Sequence, residues 1–221
     1  MTLLWSDRPH RQGIRLPSPP DATLPDGLTV EVAPDTHRSR DGRLMVGGSP
    51  ARLVRLGARA ARLLDGGRLT VAAPASAALA RRLLDAGVVH PRPAPVPAQD
   101  TTVVIPIRDR AGQLDRLLAA LRADPATSGL PVLVVDDGSE DPRALARVAR
   151  GHNARLLVHP HNRGPAAARN TGLRHARTAY VAFVDSDVVP EQGWLGTLLA
   201  QFTDPALALA APRVVALPVP T

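Results

Sequence analysis

The sequence predicts an α/β protein with a mainly parallel sheet, preceded by a small α+β unit of winged-helix-like character. Three observations carry this. From Thr101 onward, short apolar runs alternate with amphipathic stretches, the pattern of a parallel sheet with helices on both faces. Those runs end abruptly in charged residues, most sharply in YVAFVDSDVVP, Tyr180 to Pro190. Alternating prolines from Pro91 to Pro97 favour a stiff extended conformation and separate this part from a differently patterned N-terminal stretch. The expected division is a lead-in over 1–25, a small domain over 26–90, a linker over 91–99 and the α/β domain over 100–221.

Residues 1–25 are polar and Pro-rich and are expected to be unstructured. Leu28-Thr29-Val30-Glu31-Val32 alternates like a strand, and Arg43 to Val46 is expected to pair with it. Ser49-Pro50 opens a helix-like segment with Leu53, Val54 and Leu56. Two further helices end alike, at LLDGG (Leu63–Gly67) and LLDAG (Leu83–Gly87), each closed by glycine. Such a unit resembles both a winged helix and the small peptide-binding modules of peptide-modification pathways; a ligand-free packing or oligomerisation role is the plain alternative. The helix from Pro74 to Ala86 carries only Arg81 and Arg82, thin for a DNA-recognition helix.

In the second part, Thr102–Ile107 reads as a strand, and Leu114, Leu117, Leu118 and Leu121 make a helical stripe. Pro131–Val135 is the next strand, and Asp141-Pro142 is an N-cap followed by proline at the first helical position. Arg155–Val158 is a third strand, Gly164-Pro165 starts a helix through Arg169 and Leu173, and Tyr180–Val184 is a fourth strand. Trp194, Leu195, Leu198, Leu199 and Phe202 form a last amphipathic helix before a fifth strand within Leu207–Val215.

Composition narrows the function. The 221 residues suffice for one large or two small domains without staples. There is no cysteine, which removes disulfides and thiolate metal sites and fits a reducing compartment. The start, MTLLWSDRPHRQ, lacks the apolar core of a signal peptide, and no apolar run approaches the ~18 residues of a membrane span. A cytoplasmic protein without a transmembrane segment is expected. The net charge is +7 and every basic side chain is arginine, but the arginines are scattered and only Trp5, Tyr180, Phe183, Trp194 and Phe202 are aromatic. That pattern argues against nucleic acid as partner and serves a phosphate-bearing small molecule equally well.

In open α/β sheets ligands bind beyond the carboxyl ends of the strands, and the unusual residues fall there. The four strands lead to Pro106-Ile107-Arg108-Asp109-Arg110, Asp136-Asp137-Gly138-Ser139, His161-Asn162-Arg163-Gly164-Pro165 and Asp185-Ser186-Asp187. Side chains two apart on an extended chain point the same way, so Asp185 and Asp187 can converge on a hard cation such as Mg2+ or Mn2+. Capping of the next helix is the local alternative. The helix start at Gly164 can offer N–H groups to a phosphate, and a carboxylate such as Asp137 can orient a base or a ribose. Asp136 or Asp137 could equally shape a turn, and Arg169 could simply pair with an acid.

With Val103-Val104-Ile105-Pro106, Val134-Val135-Asp136-Asp137-Gly138-Ser139, Asn162-Arg163-Gly164-Pro165-Ala166-Ala167-Ala168-Arg169-Asn170 and Asp185-Ser186-Asp187 in this order, the chain resembles family 2 glycosyltransferases of the GT-A fold. It resembles, more narrowly, the glycosyltransferases of the mycofactocin pathway. The resemblance implies a Rossmann-like, mainly parallel nucleotide-sugar-binding domain over about 101–215. It implies that Asp137 contacts the uracil of a UDP-sugar beside Pro106 and Arg108, that Gly164 and Arg169 border the nucleotide, and that Asp187 ligates Mg2+ or Mn2+ with Asp185 on ribose or metal. It also implies inverting transfer, UDP-glucose as donor and a peptide-derived acceptor. The chain departs from the family in carrying Ile107-Arg108-Asp109 where Thr-Tyr-Asn is common, which removes an aromatic from base stacking. The family's base carboxylate and its later Gln/Arg/Trp motif would fall beyond Thr221, so no catalytic residue is assigned and an incomplete, donor-binding domain, inactive alone, is expected. Two rival readings remain: a phospho-receiver domain, suggested by Asp136-Asp137 and by Asp185 48 residues after Asp137 but lacking the lysine it needs, and a non-catalytic peptide-binding module.

Overall fold

The structure is a computed structural model and describes residues 2–5 and 23–216. Its first element is a strand, β1 (Thr2–Trp5), inside the stretch expected to be unstructured. The short apolar run there finds its partner far along the chain, beyond the reach of local pattern. The rest of the expected lead-in, up to residue 22, lies outside the described residues.

Then follow β2 (Thr29–Val32), β3 (His37–Arg38), β4 (Leu44–Gly47), β5 (Arg52–Arg55), α1 (Ala58–Leu63), a 3-10 turn at Asp65–Gly67, β6 (Arg68–Thr70), α2 (Pro74–Asp85) and β7 (Val89–Pro91). They make two three-stranded antiparallel sheets, in the orders β6-β2-β7 and β3-β4-β5. Leu28, Val30, Met45, Val54, Leu64 and Leu83 belong to one buried cluster of this unit. Two expectations change here. The segment after Ser49-Pro50 is the strand β5, and β4 pairs with β3 and β5 instead of with β2. Val54 and Leu56 are buried while Leu53 and Arg55 are exposed, a two-residue alternation that a short window with Leu53, Val54 and Leu56 hides. Two α-helices stand among the described residues where three are expected. Arg81 of α2 pairs with Asp204 (Nη1–Oδ2 2.9 Å), which commits one of the two arginines considered for nucleic acid.

The second unit is built mainly from Pro95–Leu199, with β1 and the last strand. Its elements are β8 (Thr101–Ile107), α3 (Ala111–Ala123), β9 (Val132–Asp136), α4 (Pro142–Gly151), β10 (Arg155–Val158), α5 (Pro165–His175), β11 (Tyr180–Phe183), α6 (Trp194–Ala200) and β12 (Leu209–Ala210), while the stretch Ala200–Leu207, with a 3-10 turn at Gln201–Thr203 and with Asp204, belongs to the N-terminal unit. The sheet order is β10-β9-β8-β11-β1-β12; the first three pairings are parallel, and β1 runs antiparallel to both neighbours. The expected fifth strand is thus two residues long and joins the sheet through β1. Prolines at 205, 212, 218 and 220 leave little of 207–215 able to continue a ladder.

Every residue of β8 and β9 is buried, as a parallel sheet covered on both faces requires. The chain steps from β8 to β9 to β10 in one direction, then returns across the sheet to β11. Right-handed crossovers therefore put α5 on the face opposite α3 and α4. In agreement, α3 packs on α4, while α5 packs on β8 and β9. The reversal leaves a crevice between the carboxyl ends of β8 and β11, the switch point where ligands of such sheets bind. Among the described residues no helix is long and apolar enough to cross a membrane.

The seat of α5 is tight. A Cβ on Gly172 would come within 2.2 Å of Val104 Cγ1, on a branched side chain buried in the centre of the sheet. Gly172→Val is expected to cost about 3 kcal/mol by overpacking, read as a lower midpoint in urea unfolding.

Candidate donor-binding cleft

The loops after β8, β9, β10 and β11 line one cleft of about 660 Å³. Pro106, Arg108, Asp137, Arg169, Asp185 and Asp187 all border it, so four sequence-distant segments do converge. Gly164 sits beside the cleft, and its N–H donates to Asp137 Oδ2 at 2.7 Å, so it is not free for a phosphate.

Asp137, only 5% exposed, is the centre of the arrangement. Its Oδ1 receives His159 Nδ1 (2.7 Å) and the Arg163 N–H (2.9 Å), and its backbone N–H donates to the Ile107 carbonyl (2.8 Å). Burial pushes its carboxyl up. The hydrogen bond from His159 and those from the backbone of Arg163 and Gly164 outweigh that, so the pKa lies below the ordinary 3.8. Asp136 does shape a turn: its Oδ1 accepts from the Ser139 N–H (2.9 Å) and from the Ser139 hydroxyl. Ser139 Oγ in turn accepts the Asp109 N–H (2.8 Å), and Asp109 Oδ1 accepts the Glu140 N–H (2.7 Å). Gly138 has φ +76°, and a Cβ on it would lie 2.5 Å from the Asn162 nitrogen. The four residues Asp136 to Ser139 thus tie the first, second and third loops together.

The acidic pair lies across the cleft. Arg169 donates to Asp185 Oδ1, and Arg110 Nη1 reaches Asp187 Oδ2 at 3.4 Å. The two carboxylates are each balanced by an arginine, which resolves the repulsion that the sequence poses. Both acids are about half exposed, and each keeps a second oxygen for another partner. Among the described residues no three His, Cys, Asp or Glu side chains converge as a metal site. Two carboxylates suit Mg2+ or Mn2+, which are held by one or two protein acids and completed by substrate phosphates. The donor set fits such an ion.

Sequence reasoning missed the ties made by Asp109, Ser139, His159 and Thr171. A histidine directly after the third strand was the one available signal, since strand ends at this edge carry the chemistry.

Asp137→Ala strands the His159 ring and two loop N–H groups, and is expected to lower unfolding free energy by about 3 kcal/mol. The depressed pKa means that ionised Asp137 contributes stability above its unfolded value of about 3.8, and that this is lost as pH falls through the lower folded value. Denaturant titrations at stepped pH should therefore show a steeper loss below about pH 4 in the native chain than in Asp137→Asn.

The profile of glycosyl transferase family 2 matches residues 102–218, more than half of the chain. The pre-mycofactocin glycosyltransferase of Mycobacterium tuberculosis is 51% identical over 196 residues, covering 88% of this chain and 40% of that protein. The validoxylamine A glucosyltransferase of Streptomyces hygroscopicus is 37% identical over 113 residues, 48% of this chain and 26% of its own. Among solved structures, a mannosyltransferase of Pyrobaculum calidifontis with GDP-Man and Mn2+ is similar, with TM-score 0.46 and 30% identity over 57% of this chain and 38% of the other. The chain spans about 40% of the length of its mycobacterial relative. The family match displaces the phospho-receiver reading. By the extent of that match and by its identity to the mycobacterial enzyme, this chain belongs to glycosyl transferase family 2.

Proposed function

We propose that the chain forms the donor-binding part of an enzyme that moves a hexose, glucose first among candidates, from a UDP-sugar with inversion onto a peptide-derived acceptor of the mycofactocin kind. The observation that supports this most is the meeting of Asp185 and Asp187 with the loops after β8 and β9 in one cleft at the switch point. The name of the 51% identical relative supports the acceptor class, and a chain without cysteine fits a cytoplasmic setting.

In this reading Pro106 and Arg108 flank the base, Asp137 accepts from it, and Asp187 with Asp185 would hold Mg2+ or Mn2+ against the diphosphate. The metal supplies charge neutralisation as the diphosphate departs. When phosphates arrive, Arg110 and Arg169 exchange a carboxylate for a phosphate oxygen, so charge stays balanced throughout. An acceptor hydroxyl attacks the anomeric carbon, the bond to UDP breaks with its electron pair leaving on the diphosphate, and the hydroxyl proton passes to a base. None of the donor-side residues is assigned as that base.

A second reading concerns the N-terminal unit as a peptide-binding module. β5 is an edge strand, and Leu44, Val46 and Leu53 (69% exposed) share one sheet face with Arg55. Between residues 38 and 62 stand seven arginines and one acid, Asp41. An extended, acidic peptide with aliphatic side chains suits such an edge.

Calorimetry with UDP should give binding that tightens at least tenfold with Mn2+ or Mg2+, and Asp187→Ala should abolish the gain. Metal-independent binding, or an unaltered Asp187→Ala, rejects the donor-site reading. Fluorescence anisotropy with a labelled peptide of alternating Glu and Val should show binding that Leu53→Asp weakens at least fivefold; equal binding rejects the peptide module.

A further inference from the structure

His159 is a buried, functional-group-bearing residue that the proposed mechanism does not use. It is 6% exposed and follows β10 directly, with its N–H bonded to the Asp136 carbonyl at 2.8 Å. Its ring bridges Asp137 and α5: Nδ1 lies 2.7 Å from Asp137 Oδ1, and Nε2 lies 3.0 Å from Thr171 Oγ1. Arg174 Nη2 donates to the same Thr171 oxygen at 2.9 Å. A carboxylate that takes two loop N–H groups is ionised and can only accept. The ring therefore carries its proton on Nδ1 and donates it to Asp137.

The consequence lies on Asp137. A carboxylate offers about four acceptor positions, two on each oxygen. His159 and the Arg163 N–H fill both positions on Oδ1, and the Gly164 N–H fills one on Oδ2. A single acceptor position remains on a residue that borders the cleft. Guanine presents two adjacent donors, a ring N–H and an amino N–H, and its paired recognition needs both oxygens of a carboxylate. Uracil presents one N–H between two carbonyls and needs one.

We infer that His159 is a specificity-determining residue: by filling the second acceptor position of Asp137 Oδ1, beside the Arg163 N–H, it restricts the cleft to nucleotides whose base offers a single N–H, and so selects uridine over guanosine diphosphate sugars. This rests on the donor-site reading above. It assigns His159 a positioning role, acting through Asp137 with its ring held in place by Thr171.

The test is calorimetry of the whole chain with UDP and with GDP, each with Mn2+. The native chain should bind UDP at least tenfold tighter than GDP. His159→Ala frees one of the two positions on Oδ1 and should shrink that ratio below about threefold, while His159→Asn, which places an amide N–H near the position of Nδ1, should restore most of it. If His159→Ala fails to fold by circular dichroism, His159→Phe, which keeps a buried ring but offers no N–H, should narrow the ratio in its place. Equal weakening of UDP and GDP by these variants overturns the inference and leaves the donor site standing. Failure of the native chain to bind either nucleotide rejects the donor site, and the inference with it.

Discussion

A buried carboxylate that faces three donors from the loop after β10 sets the form of this cleft. Asp137 is taken out of water, which alone would favour its neutral form, yet the N–H groups of Arg163 and Gly164 and the ring of His159 keep it charged. Hydrogen bonds to a buried charge are among the strongest a protein makes, and losing one partner leaves the rest uncompensated. The loop after β10 and the start of α5 are therefore fixed to the end of β9. Ser139 and Asp109 extend the same fixing to the loop after β8. The mouth of the sheet is held by its own polar groups, before any ligand arrives.

On the other side of the cleft the charges are arranged for exchange. Asp185 and Asp187 are exposed enough that their arginine partners contribute little to stability. In the proposed donor reading, little would therefore be lost if a cation and a diphosphate replaced those contacts. One wall is rigid because its charge is buried, and the opposite wall is adaptable because its charges are wet. In that reading, a base held at one end and a departing diphosphate at the other would make use of this division.

Much of the α/β unit is legible in the sequence because its elements are defined by local period: Leu114, Leu117, Leu118 and Leu121 make a helix stripe, and β8 and β9 are uninterrupted apolar runs. The edges of the fold are less so. Thr2–Trp5 is a strand only because β11 offers it an edge some 175 residues later, and β5 is a strand only because β4 folds back on it. The site divides in the same way. Motif residues could be placed at the mouth from strand order alone. Their mutual bonds, such as Ser139 to Asp109 or His159 to Asp137, depend on loop paths that no spacing encodes, so a residue that looked like a base-reading acid is also the main structural tie.

The position of β1 has a practical side. It lies between β11 and β12, and among the described residues it is the strand through which β12 joins the sheet. Stripping those first residues, or crowding them with an amino-terminal fusion, would bare a row of N–H and C=O groups along the strand that leads into Asp185 and Asp187. An open strand edge recruits whatever strand is near. Handling of the purified chain would then show as self-association beside the cleft, along the edge of β11 where the altered residues had paired.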